Sequence, residues 1–282
     1  MKTAIIMEGG AMRGMFTCGI IDVFLENGIE FDGAAGISAG ATFGCNLKSK
    51  QPGRALRYNK AFKDEYRYGS FKSFIKTGDI YDADFCYHEI PEKLDVFDTD
   101  TFEKSPMEFW VGTTDVETGE ARYYKCVDGK RHDIEWIRAS ASIPVLSRIV
   151  ELDGYKLLDG GVSDSIPYEF MMKQGYDKSI TILTREPGYV KKKSKALVAI
   201  KMVYRKYPKF IKAMEERHIK YNRLSKLLEE EQAAGRTLIL RPEKPLGIKQ
   251  MEKNPDELER VYNLGRKMAE DRLEEIKEFL RK

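Results

Sequence analysis

The 282-residue chain is short of cysteine and histidine and has no long apolar run. No hydrophobic stretch approaches the roughly 18 residues that cross a bilayer, which disfavours an integral-membrane protein. The opening stretch Met1–Glu8 holds a brief apolar-leaning run that ends at an acid. It is shorter than the core of a signal peptide, so it predicts a first strand and a cytoplasmic chain rather than a secreted one. The four cysteines, Cys18, Cys45, Cys86 and Cys126, form no C-x-x-C pair, and no histidine stands at ligand spacing from them. Structural zinc and disulfides are therefore not expected, and the thiols are read as small, mostly buried groups in a reducing compartment. Glycine (23) and proline (10) are too few and too scattered for a collagen-like or low-complexity chain. With 42% hydrophobic and 33% charged residues, the sequence describes a globular protein, either one large domain or one domain with an appendage.

Net charge is only +3, but its distribution is uneven. Residues 189–226 carry thirteen Lys/Arg against Glu215 and Glu216. The basic positions alternate with Leu197, Val198, Ile200, Met202, Val203, Tyr204, Tyr207, Phe210 and Ile211. A solvated helix face is one reading of such a run. Peripheral contact with an anionic membrane is the other, because the interleaved apolar residues suit a basic amphipathic surface. Nucleic acid is not expected, since no reader motif accompanies the charge.

Ala4–Met7 reads as a buried strand, followed by a helix bearing Phe16, Ile20, Val23 and Phe24 and stopped at Gly28. Phe31–Ile37 reads as a second strand, and a helix with Ala39, Ala41, Phe43 and Leu47 follows. This alternation predicts a parallel sheet with crossover helices. Residues 52–105 are dense in aromatics and predict a helical, irregular side layer. Glu108–Thr114 and Glu120–Cys126 predict a hairpin, and Asp133–Ser140 a helix. Ile149–Leu158 predicts strand, Asp153-Gly154 turn, strand. A helix is expected from Ser165-Ile166-Pro167 to Gln174, then strands at Ser179–Thr184 and Thr237–Leu240, and one long helix over Pro255–Phe279.

Three turns can carry chemistry. Gly36-Ile37-Ser38-Ala39-Gly40 fits G-x-S-x-G between a strand and a helix, where the flanking glycines Gly36 and Gly40 let a sharp turn project the Ser38 hydroxyl. Gly9-Gly10-Ala11-Met12-Arg13-Gly14 lies one strand–helix unit earlier. It lacks the spacing of a nucleotide loop and suits a nest of amides for an oxyanion at the same sheet edge. Leu157-Leu158-Asp159-Gly160-Gly161 puts a carboxylate at the end of an apolar strand, where burial would raise its pKa toward proton acceptance from a hydroxyl. Each turn taken alone also fits a plain packing or Asp-Gly turn. His88, His132 and His218 sit at no obvious strand end and are read as ordinary surface or helix residues.

In this order, Gly9-Gly10-x-x-Arg13-Gly14, Gly36-x-Ser38-x-Gly40 and Asp159-Gly160-Gly161 resemble the patatin-like phospholipase family, as does Ala139-Ser140-Ala141-Ser142-Ile143-Pro144. The resemblance covers roughly residues 1–185. It implies an α/β fold: a three-layer α/β/α sandwich around a mainly parallel sheet. A catalytic unit over 1–188 and a mainly helical extension over 189–282, similar to that of bacterial members, are expected. The resemblance further implies a Ser–Asp dyad without histidine, with Ser38 as nucleophile and Asp159 as base. It maps the oxyanion hole to the loop of Gly9, Gly10, Ala11, Arg13 and Gly14, with Ala39 as a further donor. Gly160 and Gly161 shape the turn after the base. Neither metal nor cofactor is implied. The implied activity is hydrolysis of a lipid or lipid-like acyl ester, leaving head group and chain length open. A non-enzymatic binder of an anionic lipid or a partner on the same fold is the competing reading. Two departures stand out. Ala11 occupies the place of a frequent third glycine, although alanine disfavours φ > 0, and Glu8 stands where Asp is frequent.

Overall fold

A strand whose two faces are both apolar must be covered on both sides. β1 (Thr3–Met7) meets that condition: Ile5 and Met7 join one hydrophobic cluster while Ala4 and Ile6 join another, as the two-residue period of a strand requires. The computed structural model describes residues 1–281. After β1 come a short 3-10 turn (Ala11–Gly14), α1 (Met15–Glu26), β2 (Gly33–Ile37) and α2 (Ala39–Lys48). The aromatic-rich stretch folds as α3 (Arg54–Ala61), α4 (Phe71–Thr77), a π-helical segment (Phe85–Leu94) and α5 (Thr99–Lys104). Next are β3 (Glu108–Asp115), β4 (Ala121–Cys126), α6 (Arg131–Ser140), β5 (Val150–Leu152), β6 (Tyr155–Asp159) and α7 (Tyr168–Lys173). The remainder is β7 (Lys178–Ile182), α8 (Leu197–Val203), α9 (Pro208–Ala233), β8 (Thr237–Leu240), α10 (Pro255–Asp271) and α11 (Leu273–Arg281).

The sheet runs β5-β6-β3-β2-β1-β7-β8, with β4 also on β3. β3, β2, β1, β7 and β8 are parallel, and β4 and β6 pair antiparallel to β3. One face carries α1, α2, α10 and the aromatic stretch around Phe16, Phe24, Phe85 and Phe109. The other carries α7 and α9 through Tyr168, Met171, Tyr221, Leu224 and Leu228. The expected three-layer sandwich with a mainly parallel sheet is the architecture found, with a mixed edge.

Two details of that sheet position the site. β3 pairs with β2 only as far as Ile37↔Gly112 and then continues to Asp115. The overhang gives β6 a ledge, and Thr113 pairs with Asp159. A strand arriving from the opposite direction thus ends next to the end of β2. The other detail is β8, which comes from beyond position 188 and pairs along β7 from Ser179↔Thr237 to Ile182↔Leu240.

Some expected boundaries shift. The single helix over Pro255–Phe279 is two helices, because Arg272 is non-helical (φ −111°, ψ 14°) and its guanidinium donates to the Ile239 carbonyl at 2.8 Å. The helix expected from Ser165 starts at Tyr168, since the Asp164 carboxylate takes the Ile166 amide at 3.1 Å and holds a turn there. Cys18, Cys45 and Cys126 are buried and Cys86 is half-buried.

Candidate active site

Ser38 follows β2 directly, and its backbone sits at φ 53°, ψ −120°. An L-residue adopts such angles only where its surroundings leave no alternative. Gly40 is one such constraint: a Cβ there would lie 2.3 Å from the Met7 carbonyl oxygen. Gly36 is the other, since its Cβ would lie 2.3 Å from the Gly40 carbonyl oxygen. Only hydrogen fits at either place, so β1, β2 and the start of α2 close together and Ser38 takes the tight corner. The Ser38 amide donates to Ser140 Oγ at 2.8 Å, and Ser140 Oγ donates to the Gly112 carbonyl at 2.6 Å. The elbow is thereby tied to the neighbouring strand.

Ser38 Oγ donates to Asp159 Oδ2 at 2.7 Å, although the two residues are 121 positions apart. Both are buried. Asp159 has unremarkable backbone angles (φ −45°, ψ 125°) and is held by its side chain, whose Oδ1 accepts the Gly161 amide at 2.7 Å. Its own amide donates to the Ser142 carbonyl at 2.9 Å. Gly160 lets this turn press on β3, because a Cβ would lie 2.2 Å from the Gly112 carbonyl oxygen. Burial raises the Asp159 pKa, and the Ser38 hydroxyl, Arg217, the Gly161 amide and Lys191 oppose that rise.

The glycine loop stands beside this pair, and a Cβ on Gly9 would lie 3.1 Å from Ser38 Cβ. The Gly9 amide donates to the Ser165 carbonyl at 3.4 Å, and the Arg13 amide to the Gly10 carbonyl at 3.2 Å. Among the described residues, the amides of Gly10, Ala11 and Ala39 have no acceptor. Ala11 takes φ 50°, the left-handed region that a third glycine would occupy without strain. Gly14 packs against Ala39 and Phe43 at the start of α2. Arg13 turns away from the pair, with its Nε on Thr184 Oγ1 at 3.4 Å.

From Ser38, Ala11 and Ala39 a cavity of about 110 Å3 runs into the aromatic layer. Its wall includes Phe43, Tyr58, Tyr68, Tyr81, Tyr87 and Phe97. The aromatic stretch is therefore both core and cavity lining. The histidines lie elsewhere. His88 bonds Glu135 at 2.9 Å and His132 bonds Asp153 at 3.0 Å. His218 lies on α9, and among the described residues no histidine bonds Ser38 or Asp159. No cluster of three or more His, Cys, Asp or Glu among those residues could hold a metal ion, and no helix is long and apolar enough to cross a membrane.

Sequence reasoning brought Ser38, Asp159 and the glycine loop to one place, but it gave Ser140 and Ser142 no role beyond their place in the family resemblance. These sit in the Ala139–Pro144 stretch and bridge the elbow to the carboxylate turn. Arg217 and Lys191 were also missed, because they come from far along the chain: Arg217 reaches the carboxylate turn from α9, and Lys191, in the segment before α8, acts on Asp159 by its charge.

The corner thus holds a strained serine bonded to a buried aspartate beside free amides. The family model for patatin-like phospholipase matches residues 5–172, and the chain belongs to that family. A second model, a domain of unknown function (DUF6363), matches residues 207–281. The chain is 30% identical over 197 residues to the uncharacterized protein YjjU of Escherichia coli, covering 65% of this chain and 52% of that protein. It is 27% identical over 180 residues to lysophospholipase nte1 of Aspergillus niger, covering 62% of this chain and 11% of that one. The chain thus spans about half the length of the first relative and a small part of the second. Among solved structures, VipD from Legionella pneumophila aligns over 97% of this chain and 67% of its own, with a TM-score of 0.48 and 12% identity.

Proposed function

We propose that the protein is a serine acyl hydrolase of lipid esters that uses Ser38 and Asp159 without a histidine. The observation that carries this reading is the 2.7 Å hydrogen bond from Ser38 Oγ to Asp159 Oδ2 at the mouth of an aromatic cavity. Ser38 Oγ attacks the ester carbonyl as its proton passes to Asp159. The oxyanion that forms is met by the amides of Gly10, Ala11 and Ala39, with the N-terminal end of α2 adding its dipole. Collapse of the tetrahedral species returns the proton to the departing alcohol and leaves the acyl group on Ser38. Water then attacks the acyl ester, gives its proton to Asp159, and the fatty acid leaves as Ser38 is reprotonated. Burial suits Asp159 to this exchange, since a raised pKa makes the carboxylate a better acceptor. The acyl chain lies among Tyr58, Tyr68, Tyr81 and Phe97.

The enzyme works in the cytoplasm and meets its substrate at an anionic membrane face. α8 supports this: it buries Ile200 and exposes Val198, Met202 and Val203 within the most basic part of the chain. The hydroxyl of Tyr204, next after α8, accepts the Val145 amide at 2.9 Å, close to Ile143 of the cavity wall.

A serine-directed fluorophosphonate tests the assignment. Labelling is expected in the folded protein at Ser38 and is lost in Ser38→Ala and on denaturation. A folded protein that resists the probe and hydrolyses no ester would leave a non-enzymatic lipid binder instead.

A further inference from the structure

Four cations gather behind the glycine loop without a carboxylate partner. Arg13, Arg185, Lys191 and Arg217 act on one another electrostatically, and none takes part in an ion pair among the described residues. Two acids act on them and both are occupied otherwise: Asp159 accepts the Ser38 hydroxyl and the Gly161 amide, and Glu8 accepts the Thr184 amide at 2.6 Å, the Thr184 hydroxyl at 3.1 Å and the Tyr221 hydroxyl at 2.8 Å. Arg185 is stacked on Tyr189 at 4.3 Å, and its buried Nε has no hydrogen-bond partner. Lys191 lies over the Tyr221 ring at 4.1 Å. Its backbone is clamped to α9, with its amide on Asn222 Oδ1 at 2.8 Å and its carbonyl taking Asn222 Nδ2 at 3.0 Å. Arg217 donates from Nε to the Gly161 carbonyl, in the turn whose amide holds Asp159. Such a site is costly as it stands, because four half-buried basic groups with no ion-pair partner crowd around only two acids, Glu8 and Asp159, in a poorly hydrated place.

We propose that Arg185, Lys191 and Arg217, with Arg13 beside them, form a binding subsite for a phosphate group next to the Ser38–Asp159 pair. The ligand class is an acyl ester whose head group ends in a phosphomonoester. This rests on the hydrolase reading and deepens it. Arg217 sets the distance, since it touches the turn that carries Asp159, so the anion and the scissile ester belong to one small molecule. The arginines offer forked donors, and Lys191 offers a point charge on a fixed backbone. Burial, reinforced by Arg217, lowers the Lys191 pKa to about 7, so an arriving dianion both pairs with it and restores its proton. A choline head group is disfavoured, because its positive charge would meet those of the three arginines and both nearby rings, Tyr189 and Tyr221, are already covered by Arg185 and Lys191. The subsite has the anion preference of the basic segment but draws it from half-buried residues rather than its exposed lysines.

The test compares the intact protein with Lys191→Gln and Arg185→Gln on three micellar substrates of equal acyl chain: 1-acylglycerol 3-phosphate, 1-acylglycerophosphocholine and monoacylglycerol. The expected result is a preference of about tenfold or more in kcat/KM for the phosphomonoester over the other two, carried in KM and reduced about tenfold in either variant. Lys191→Arg should recover most of it. Equal rates on all three substrates, or a preference unchanged in both variants, would overturn the subsite while leaving the hydrolase intact. If no substrate is cleaved, equilibrium binding of 1-acylglycerol 3-phosphate decides independently: binding that weakens in Lys191→Gln supports the subsite and sinks the hydrolase. Inorganic phosphate and glycerol 3-phosphate are run as competitors. Competition by inorganic phosphate as strong as by the acylated compound would mean that free phosphate is the ligand, which overturns the head-group assignment. Melting curves of both variants confirm that folded protein is compared.

Discussion

Ser38 and Asp159 arrive at the same point by opposite means. Ser38 is placed by its backbone: φ 53° is forced on it by glycines that allow no side chain on either flank. Asp159 has relaxed backbone angles and is placed by what its carboxylate accepts, the Gly161 amide and the Ser38 hydroxyl. One residue is held by steric exclusion and the other by hydrogen bonds. The first kind of placement fails when volume is added nearby. The second fails when a donor is lost or the carboxylate is protonated.

The largest effect expected comes from removing either partner. Ser38→Ala and Asp159→Asn should each lower kcat/KM for an acyl ester by at least about a thousandfold, read in a chromogenic ester assay on folded protein. The same rate should fall as acid protonates Asp159, at a pH above the ordinary carboxylate range because burial raises its pKa. The sign for stability is opposite. A buried aspartate with a raised folded pKa costs stability that grows as pH rises from the ordinary carboxylate pKa to the folded one, and stays in full above it. Asp159→Asn should therefore melt higher than the parent at neutral pH and lose that advantage in acid, as thermal scans at both pH values would register.

Next comes the steric side of the contrast. Gly40→Ala places a methyl group 2.3 Å from the Met7 carbonyl oxygen. A loss of about 3 kcal/mol is expected in urea unfolding, with activity falling in parallel. Ser140→Ala is milder: it takes away the acceptor of the Ser38 amide and should cost about 1–3 kcal/mol by the same measurement. Ala11→Gly should work the other way, relieving φ 50° and stabilising the protein by about 1 kcal/mol. Smallest of all, His88→Ala, His132→Ala and His218→Ala should each keep most of the ester hydrolysis. A thousandfold loss in any of them would restore histidine as the base.

What was legible in the sequence follows the same division. Steric placement leaves local marks, because glycines at Gly36 and Gly40 around Ser38, or a doubled glycine at Gly9, are close together in the chain, although each alone also fits a packing turn. Together with Asp159-Gly160-Gly161 they were enough to identify the family and the sandwich. Placement by distant partners leaves no such mark. The ledge on β3 that receives β6, the Ser140 hydroxyl between two backbones, and Arg217 on the carboxylate turn depend on pairings across long separations. The π-helical turn at Phe85–Leu94 was unreadable for another reason: Pro91 and wide-spaced aromatics give neither a 3.6- nor a 2-residue period. The break at Arg272 was hidden because the apolar stripe continues through it, while the reason for the bend is a carbonyl at the end of β8.

The pairing of β8 with β7 has a consequence for synthesis on the ribosome. Ser38 and Asp159 emerge long before Thr237, so a nascent chain can assemble its reactive corner while one border of the sheet still lacks a neighbour. Until Leu240 arrives, the exposed amides and carbonyls of β7 invite pairing with other unfinished chains. A premature stop codon between the two strands should therefore yield insoluble polypeptide rather than a smaller working enzyme.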